Sequence, residues 1–372
     1  MTFNENDKNQ SPRVAFLWPL LPGYLAPVVT RLVHDFGYHV KIFALGNDGV
    51  NESDAFVEAD LFRNVDVQLW DRKTIANLQH VRDDVAAYRP DILVVSGWYF
   101  RSYAQFYRLA EFSGIPIVLA IDNTFQGTWK QWVGKFALQR ILRRANRIMV
   151  PGDRGSELMK YWGVPAEKVQ RGLYSFGFSG FENAGQQRAK LGETPKRFLF
   201  VGRLCERKGI DLLVAAYASY RSKVSDPWEL VVCGRGPLDN LCRSAGIAFR
   251  GFTEYSALPE VMSQCSVFVF PSLHDSWGVA LAEACAAGMP VVCTSNCGAS
   301  ADLVCDGYNG FVIPSGSSVE IERTLHWFHS HREAIPDMGR RSVTYAEGYS
   351  DHAASQQWHR MFGELVGARP DS

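Results

Sequence analysis

The chain alternates short apolar runs with longer mixed segments. RVAFLW (Arg13 to Trp18), HVKIFAL, Val65 to Leu69, DILVVS (Asp91 to Ser96), IPIVLA (Ile115 to Ala120) and RIMV (Arg147 to Val150) follow one another in the first half. Each is short and almost free of internal charge, as a strand covered on both faces requires, and each gap can hold a crossover helix. The pattern weakens over 173–195, where Gly, Ser and polar residues read as a linker. A second series then begins with Phe198 to Val201, Trp228 to Cys233, Ile247 to Arg250, Val267 to Phe270, Val291 to Thr294 and Gly310 to Ile313. The expected fold class is α/β, with two doubly wound parallel-sheet, Rossmann-like domains over 13–172 and 196–349. Residues 350–366, SDHAASQQWHRMFGELV, read as one amphipathic helix opened by a Ser or Asp cap. Residues 1–12 read as a disordered polar tail.

Composition narrows the class. A chain of 372 residues favours two domains over one core. Its 39 basic and 39 acidic residues balance, which argues against a nucleic-acid partner. No stretch approaches the ~20 apolar residues of a membrane span and the first residues lack a signal-type apolar core, so a cytoplasmic location is expected. All eight cysteines fall between Cys205 and Cys305 without metal-type spacing, and they read as buried, reduced thiols.

The stretch from Val267 to Cys293 is the densest in chemistry. It reads as strand, loop, short helix, stop and strand. Asp275 precedes the helix start and Glu283 lies inside the helix among Leu281, Ala282 and Ala284. The backbone N–H groups around Gly278 and Val279, at the positive end of the helix, suit an anion. An N-terminal cap with a core-facing Glu is the alternative. Eight residues of helix rise ~12 Å, so the two carboxylates can address opposite ends of one extended ligand. Trp277 between them either packs under the ligand or staples the helix start, with simple packing favoured.

Two further strand ends belong to the same row. RFLFVGRLCERKG places Gly202, Arg203 and Lys208 after the first strand of the second half, where a forked guanidinium and a point charge suit a diphosphate. ELVVCGRGP places Gly234 after the next strand, in a tight turn.

In order and spacing, FVGRLCERKG, VVCGRGP, the Val267–Cys293 stretch and CGASADLVCDGYNGFVI resemble the C-terminal half of the retaining glycosyltransferases of family 4. That family has the GT-B fold, two such domains facing a cleft, with a last helix crossing back to the N-terminal domain. The resemblance is good over about Phe198 to Pro314 and rests on the strand-loop pattern alone in the first half. It implies a nucleotide-sugar donor and a carbohydrate or lipid-linked acceptor, such as a glycolipid or polysaccharide intermediate. It implies that Arg203 and Lys208 hold the diphosphate, that Glu283 meets the ribose hydroxyls and that Asp275 faces the donor sugar. No cofactor and no metal are expected, because the cations and the helix start supply the positive charge. Asp275 departs from the family, which usually has Glu there, and its shorter side chain points to an altered sugar preference.

The first half carries weaker signals. Gly23, in LLPGYLAPV, is either a donor-side approach point or an ordinary loop glycine. Trp98 and Tyr99 follow a strand end, where aromatics suit stacking on a sugar. Many family members carry a histidine after the IPIVLA strand, whereas this chain has Asp122 and Asn123, and no histidine between His80 and His274. Asp122 is therefore the candidate for sugar or acceptor contact, with a strand-end cap as its equal alternative. Over 128–147, tryptophans and cations alternate at helical spacing. They read either as a crossover helix with its apolar face on the sheet or as a peripheral contact with an anionic membrane.

Rival readings are another sugar-nucleotide enzyme of the same fold, whether phosphorylase, hydrolase or epimerase, and a non-catalytic sugar-nucleotide-binding protein. A dinucleotide oxidoreductase fits poorly, because PLLPGYLAP and not GxGxxG follows the first strand.

Overall fold

The computed structural model describes residues 11–46, 59–62, 64–244 and 246–367. The chain divides into two compact units, Met1–Ser175 with Asp351–Ser372, and Phe176–Ser350.

The first unit is built on seven parallel strands: β1 (Arg13–Trp18), β2 (His39–Leu45), β3 (Asp66–Trp70), β4 (Ile92–Ser96), β5 (Ile117–Ala120), β6 (Arg147–Val150) and β7 (Val169–Arg171). Their order is β3-β2-β1-β4-β5-β6-β7. Alternate residues of β1 serve opposite faces, as the strand period demands. Val14, Phe16 and Trp18 join Leu25, Trp358 and Phe362 on one side. Ala15 and Leu17 join Val81, Val85 and Tyr103 on the other. Burial on both faces explains why the strands read as apolar runs.

The helix Asp351–Gly367 completes the first face. Trp358 is fully buried against Phe16, ring centroids 5.7 Å apart, and its indole N–H donates to the carbonyl of Gly172 at 3.1 Å. Arg31 pairs with Asp351 and Arg147 with Glu364, so cations tie both ends of the helix to the unit. His359 stacks on Phe36, centroids 4.2 Å apart.

The second unit has six parallel strands: β8 (Arg197–Val201), β9 (Glu229–Cys233), β10 (Ala248–Gly251), β11 (Val267–Phe270), β12 (Val291–Thr294) and β13 (Gly310–Ile313). Their order is β10-β9-β8-β11-β12-β13. The strand order reverses at β8 and β11, which are neighbours. Their carboxyl ends form the switch point where open α/β sheets bind ligands.

The structure differs from expectation in several places. The stretch 173–195 contains the helix Phe178–Ala189, with Phe181 and Ala184 buried. Its Gly and Ser content disguised a helix whose small residues permit close packing: a Cβ on Gly185 would lie 2.8 Å from the carbonyl oxygen of Ala287. The basic stretch 128–147 is two helices, Trp129–Ala137 and Gln139–Arg144, interrupted at Leu138, and Arg147 opens β6. No residue of Trp129–Ala137 is buried, so this helix does not lay an apolar face on the sheet. The cysteines are free, but only six are buried; Cys205 is half-buried and Cys305 exposed. Burial pushes the Cys242 thiol up to about 11 and those of Cys265 and Cys285 to about 12. The disordered tail expected over 1–12 lies outside the described residues except for Ser11 and Pro12. Among the described residues no helix is long and apolar enough to cross a membrane.

Trp358→Ala removes the largest side chain of the returning helix and is expected to cost about 3–5 kcal/mol, read from the shift of the first unit's urea transition. Desolvation holds His359 below its ordinary value of 6.5. Protonation therefore opposes the fold, and the contribution is complete above 6.5 and is lost as pH falls below it and through the lower folded-state value. On acidification from about pH 7 to pH 5 the wild-type melting temperature should drop more than that of His359→Gln.

Candidate functional site

The loops leaving β8 and β11 are fastened together by the backbone. Leu273 N–H donates to the carbonyl of Arg207 at 2.9 Å. Gly209, at φ 67°, lies so near Pro271 that a Cβ would meet its carbonyl oxygen at 2.2 Å. Only glycine allows both the left-handed turn and this approach. The consequence is a direct ion pair between Lys208 Nζ and Asp275 Oδ2. Their side chains are only 15% and 12% exposed, and the ammonium also lies 5.1 Å from the centre of the Phe270 ring. Asp275 is held through its backbone, its N–H donating to Asn296 O at 3.3 Å and its carbonyl accepting from Gly298 N–H at 3.0 Å.

Three residues on, the helix Val279–Ala286 starts from Gly278 at φ 105°. Its N-cap makes no side-chain cap hydrogen bond and Leu281 N–H turns back to the Gly278 carbonyl at 3.0 Å, so the capacity for an anion rests on the N–H groups ahead of Leu281, beginning at Val279. Trp277 is buried, its indole N–H donating to Asp302 at 3.0 Å and its ring 5.0 Å from Tyr349. It is a packing residue. Glu283 is 4% exposed, inside the helix among fully buried Leu281, Ala282 and Ala284. Arg203 is half-buried in the loop just after β8. Gly202 and Gly234 press the loops after β8 and β9 together: a Cβ on Gly234 would sit 1.9 Å from the carbonyl oxygen of Gly202. Gly234 therefore has a packing reason of its own.

Thus Arg203, Lys208, Asp275, Gly278 and Val279 gather on the loops of the β8/β11 switch point, with Glu283 following in the helix. Sequence reasoning passed over Arg235, whose guanidinium lies 4.2 Å from the centre of the Phe252 ring in the loops after β9 and β10. The middle residue of the GxGP turn was the available signal.

In the first unit, Gly23 lies in the turn Pro22 to Leu25, closed by a 3.0 Å backbone hydrogen bond at the head of the helix Leu25–His34. Trp98 is half-buried, 6.0 Å from Trp162 between ring centres, and both line a cavity of about 310 Å³ with Asn123, Lys130 and Gln131. Tyr99 is 90% exposed. Asp122 is exposed at the end of β5 and accepts a hydrogen bond from Tyr174 Oη at 3.2 Å. The Tyr174 ring meets Tyr24 edge-on at 4.3 Å. Desolvation, and then the charge of Asp122, push the Tyr24 phenol well up. This Asp122–Tyr174–Tyr24 group was not legible, because Tyr174 lies in the presumed linker and Tyr24 in a loop read for its glycine.

Among the described residues no group of three or more His, Cys, Asp or Glu is placed to hold a metal ion.

Both halves match glycosyltransferase family models, "Glycosyl transferases group 1" over 183–343 and "Glycosyl transferase 4-like domain" over 24–171. With two such parallel-sheet units, the chain belongs to the glycosyltransferases of GT-B fold, the group 1 match being confined to its second half. It is 30% identical over 210 residues to a D-inositol 3-phosphate glycosyltransferase of Stackebrandtia nassauensis, covering 52% of this chain and 45% of that protein. It is 28% identical over 214 residues to the phosphatidyl-myo-inositol mannosyltransferase of Mycobacterium leprae, covering 55% and 52%. The chain thus spans about half the length of the curated relatives it matches. The crystal structure of HepE from Anabaena in complex with UDP superposes with a TM-score of 0.74 at 16% identity, over 95% of this chain and 100% of that one.

Removing one partner of the Lys208–Asp275 pair leaves a carboxylate stranded in poor solvent. Lys208→Met is expected to cost about 3 kcal/mol in urea unfolding, while Lys208→Met with Asp275→Asn recovers most of it.

Proposed function

We propose that this protein transfers a glycosyl group from a nucleotide-sugar donor to a carbohydrate or lipid-linked acceptor, with retention at the anomeric carbon. The observation that carries the reading is the Lys208–Asp275 pair at the β8/β11 switch point, beside an uncapped helix start. In this reading Lys208, Arg203 and the N–H groups of Gly278 and Val279 receive the diphosphate. They stabilise the charge that grows on it as the glycosidic bond breaks, and being already fixed they need little reorganisation. Asp275 faces the sugar and accepts from its hydroxyls, while Glu283 accepts from the ribose. The UDP bound by the structural neighbour supports a nucleoside diphosphate as the common element.

Three positive sources in one place make a metal unnecessary for the leaving group, so we propose metal-independent transfer. Asp122 is the proposed contact to the acceptor or sugar where relatives carry histidine. It accepts a hydrogen bond from Tyr174. The acceptor proton then passes to the departing phosphate, on the same face as the incoming oxygen, which is what retention requires.

Thermal-shift screening of nucleotide sugars should find one that raises the melting temperature, and the purified protein should transfer its sugar without added metal and in chelator. Glu283→Gln should lower transfer by roughly a hundredfold or more with an unchanged melting temperature. Wild-type turnover in that variant would remove the donor assignment. Release of free sugar without acceptor would redirect it to a hydrolase, and NMR of the product's anomeric centre decides retention.

A further inference from the structure

The helix Trp129–Ala137 carries Trp129, Trp132, Val133 and Phe136 at the i, i+3, i+4, i+7 spacing that normally turns a stripe of side chains to a core. Here the stripe faces outward: the four are 72%, 57%, 43% and 62% exposed. Exposed large apolar side chains in one contiguous stripe mark an interaction surface, whereas single ones do not. Trp132 and Phe136 pack edge-on with centroids 5.4 Å apart, so the surface is locally preformed.

The charge around the stripe identifies the partner. Between Asp122 and Asp153 the chain has six Lys and Arg and no Asp or Glu. Two of the six are committed elsewhere: Arg144 donates to the carbonyls of Phe112, Ser113 and Ile115, and Arg147 pairs with Glu364. Lys130, Arg140 and Arg143 are exposed, and Lys135 lies over the Tyr161 ring at 5.5 Å. Indoles and a phenyl ring that seek the boundary between water and hydrocarbon, ringed by cations, fit the interface of an anionic bilayer. A protein groove would need carboxylates spaced to match four cations of different reach, whereas anionic headgroups rearrange around them.

We infer that Trp129–Ala137 is the surface by which this protein docks on an anionic lipid bilayer. The other side of the same helix, through Gln131 and Gly134, forms one wall of the cavity containing Trp98 and Trp162. Resting on the transferase reading, the acceptor is then a lipid-linked saccharide whose polar head reaches that cavity from the membrane surface.

Flotation of the full chain with phosphatidylcholine vesicles containing about one-third phosphatidylglycerol tests the docking. Binding is expected at low salt and should be much weaker on pure phosphatidylcholine, with a blue shift of tryptophan emission. Trp132→Ala with Phe136→Ala should lower the partition coefficient by roughly tenfold or more, and Arg140→Gln with Arg143→Gln should weaken binding and flatten its salt dependence. Thermal melting and UDP binding, neither of which involves these side chains, should stay unchanged in both variants. Failure of the folded wild type to bind anionic vesicles, or undiminished binding by the Trp132/Phe136 variant, overturns the proposal. Sedimentation showing a dimer that the same variant dissolves, without vesicle binding, would instead make the stripe an interface between copies. Vesicle binding with no nucleotide-sugar turnover would sink the transferase reading and leave the docking surface standing.

Discussion

The ion pair between Lys208 and Asp275 is the interaction on which the candidate site depends. Two charges with so little access to water are held together only where surrounding structure fixes both, since their desolvation consumes much of the attraction. Here that fixing comes from backbone: Gly209 against Pro271, Leu273 against Arg207, and Asp275 between Asn296 and Gly298. The pair thus couples three successive strand ends, and any anion that engages Lys208 must share it with Asp275.

The fold class was legible because a parallel sheet buries both faces of its strands, and runs such as VFVF and DILVVS have no other home. The switch point was legible through Arg203, Lys208 and Asp275, whose loops can be counted from strand ends. What escaped the sequence came from packing over distance. The helix Phe178–Ala189 hid behind its glycines because small residues serve a tight helix contact as well as a loop. Gly234 could be read as a turn glycine, but that the carbonyl of Gly202 occupies the space a side chain would take could not. The break at Leu138 leaves no trace in the periodicity, because the apolar positions on either side continue to suit a helix.

The first unit shows the same limit from the other side. Asp122 could be noticed because a histidine was absent; its partner Tyr174 could not, since 52 residues separate them and no local spacing joins them. Tyr24 and Tyr174 place two phenols beside one exposed carboxylate at the carboxyl ends of the sheet. Asp122 is therefore part of a small cluster with two phenols and not an isolated carboxylate.

The helix Asp351–Gly367 has a consequence for how the molecule is made. It supplies Ala354, Trp358, Met361, Phe362 and Leu365 to a core whose other buried members lie before residue 176. During synthesis the ribosome must produce the whole of Phe176–Ser350 before those side chains exist. The usual order, in which the earlier domain folds first, is thereby inverted for completion. The second unit can close its core while the first still exposes the apolar side of β1 and the helix Leu25–His34. For that interval the nascent protein presents a sticky, unfinished face, and the step that removes it is the docking of the helix Asp351–Gly367.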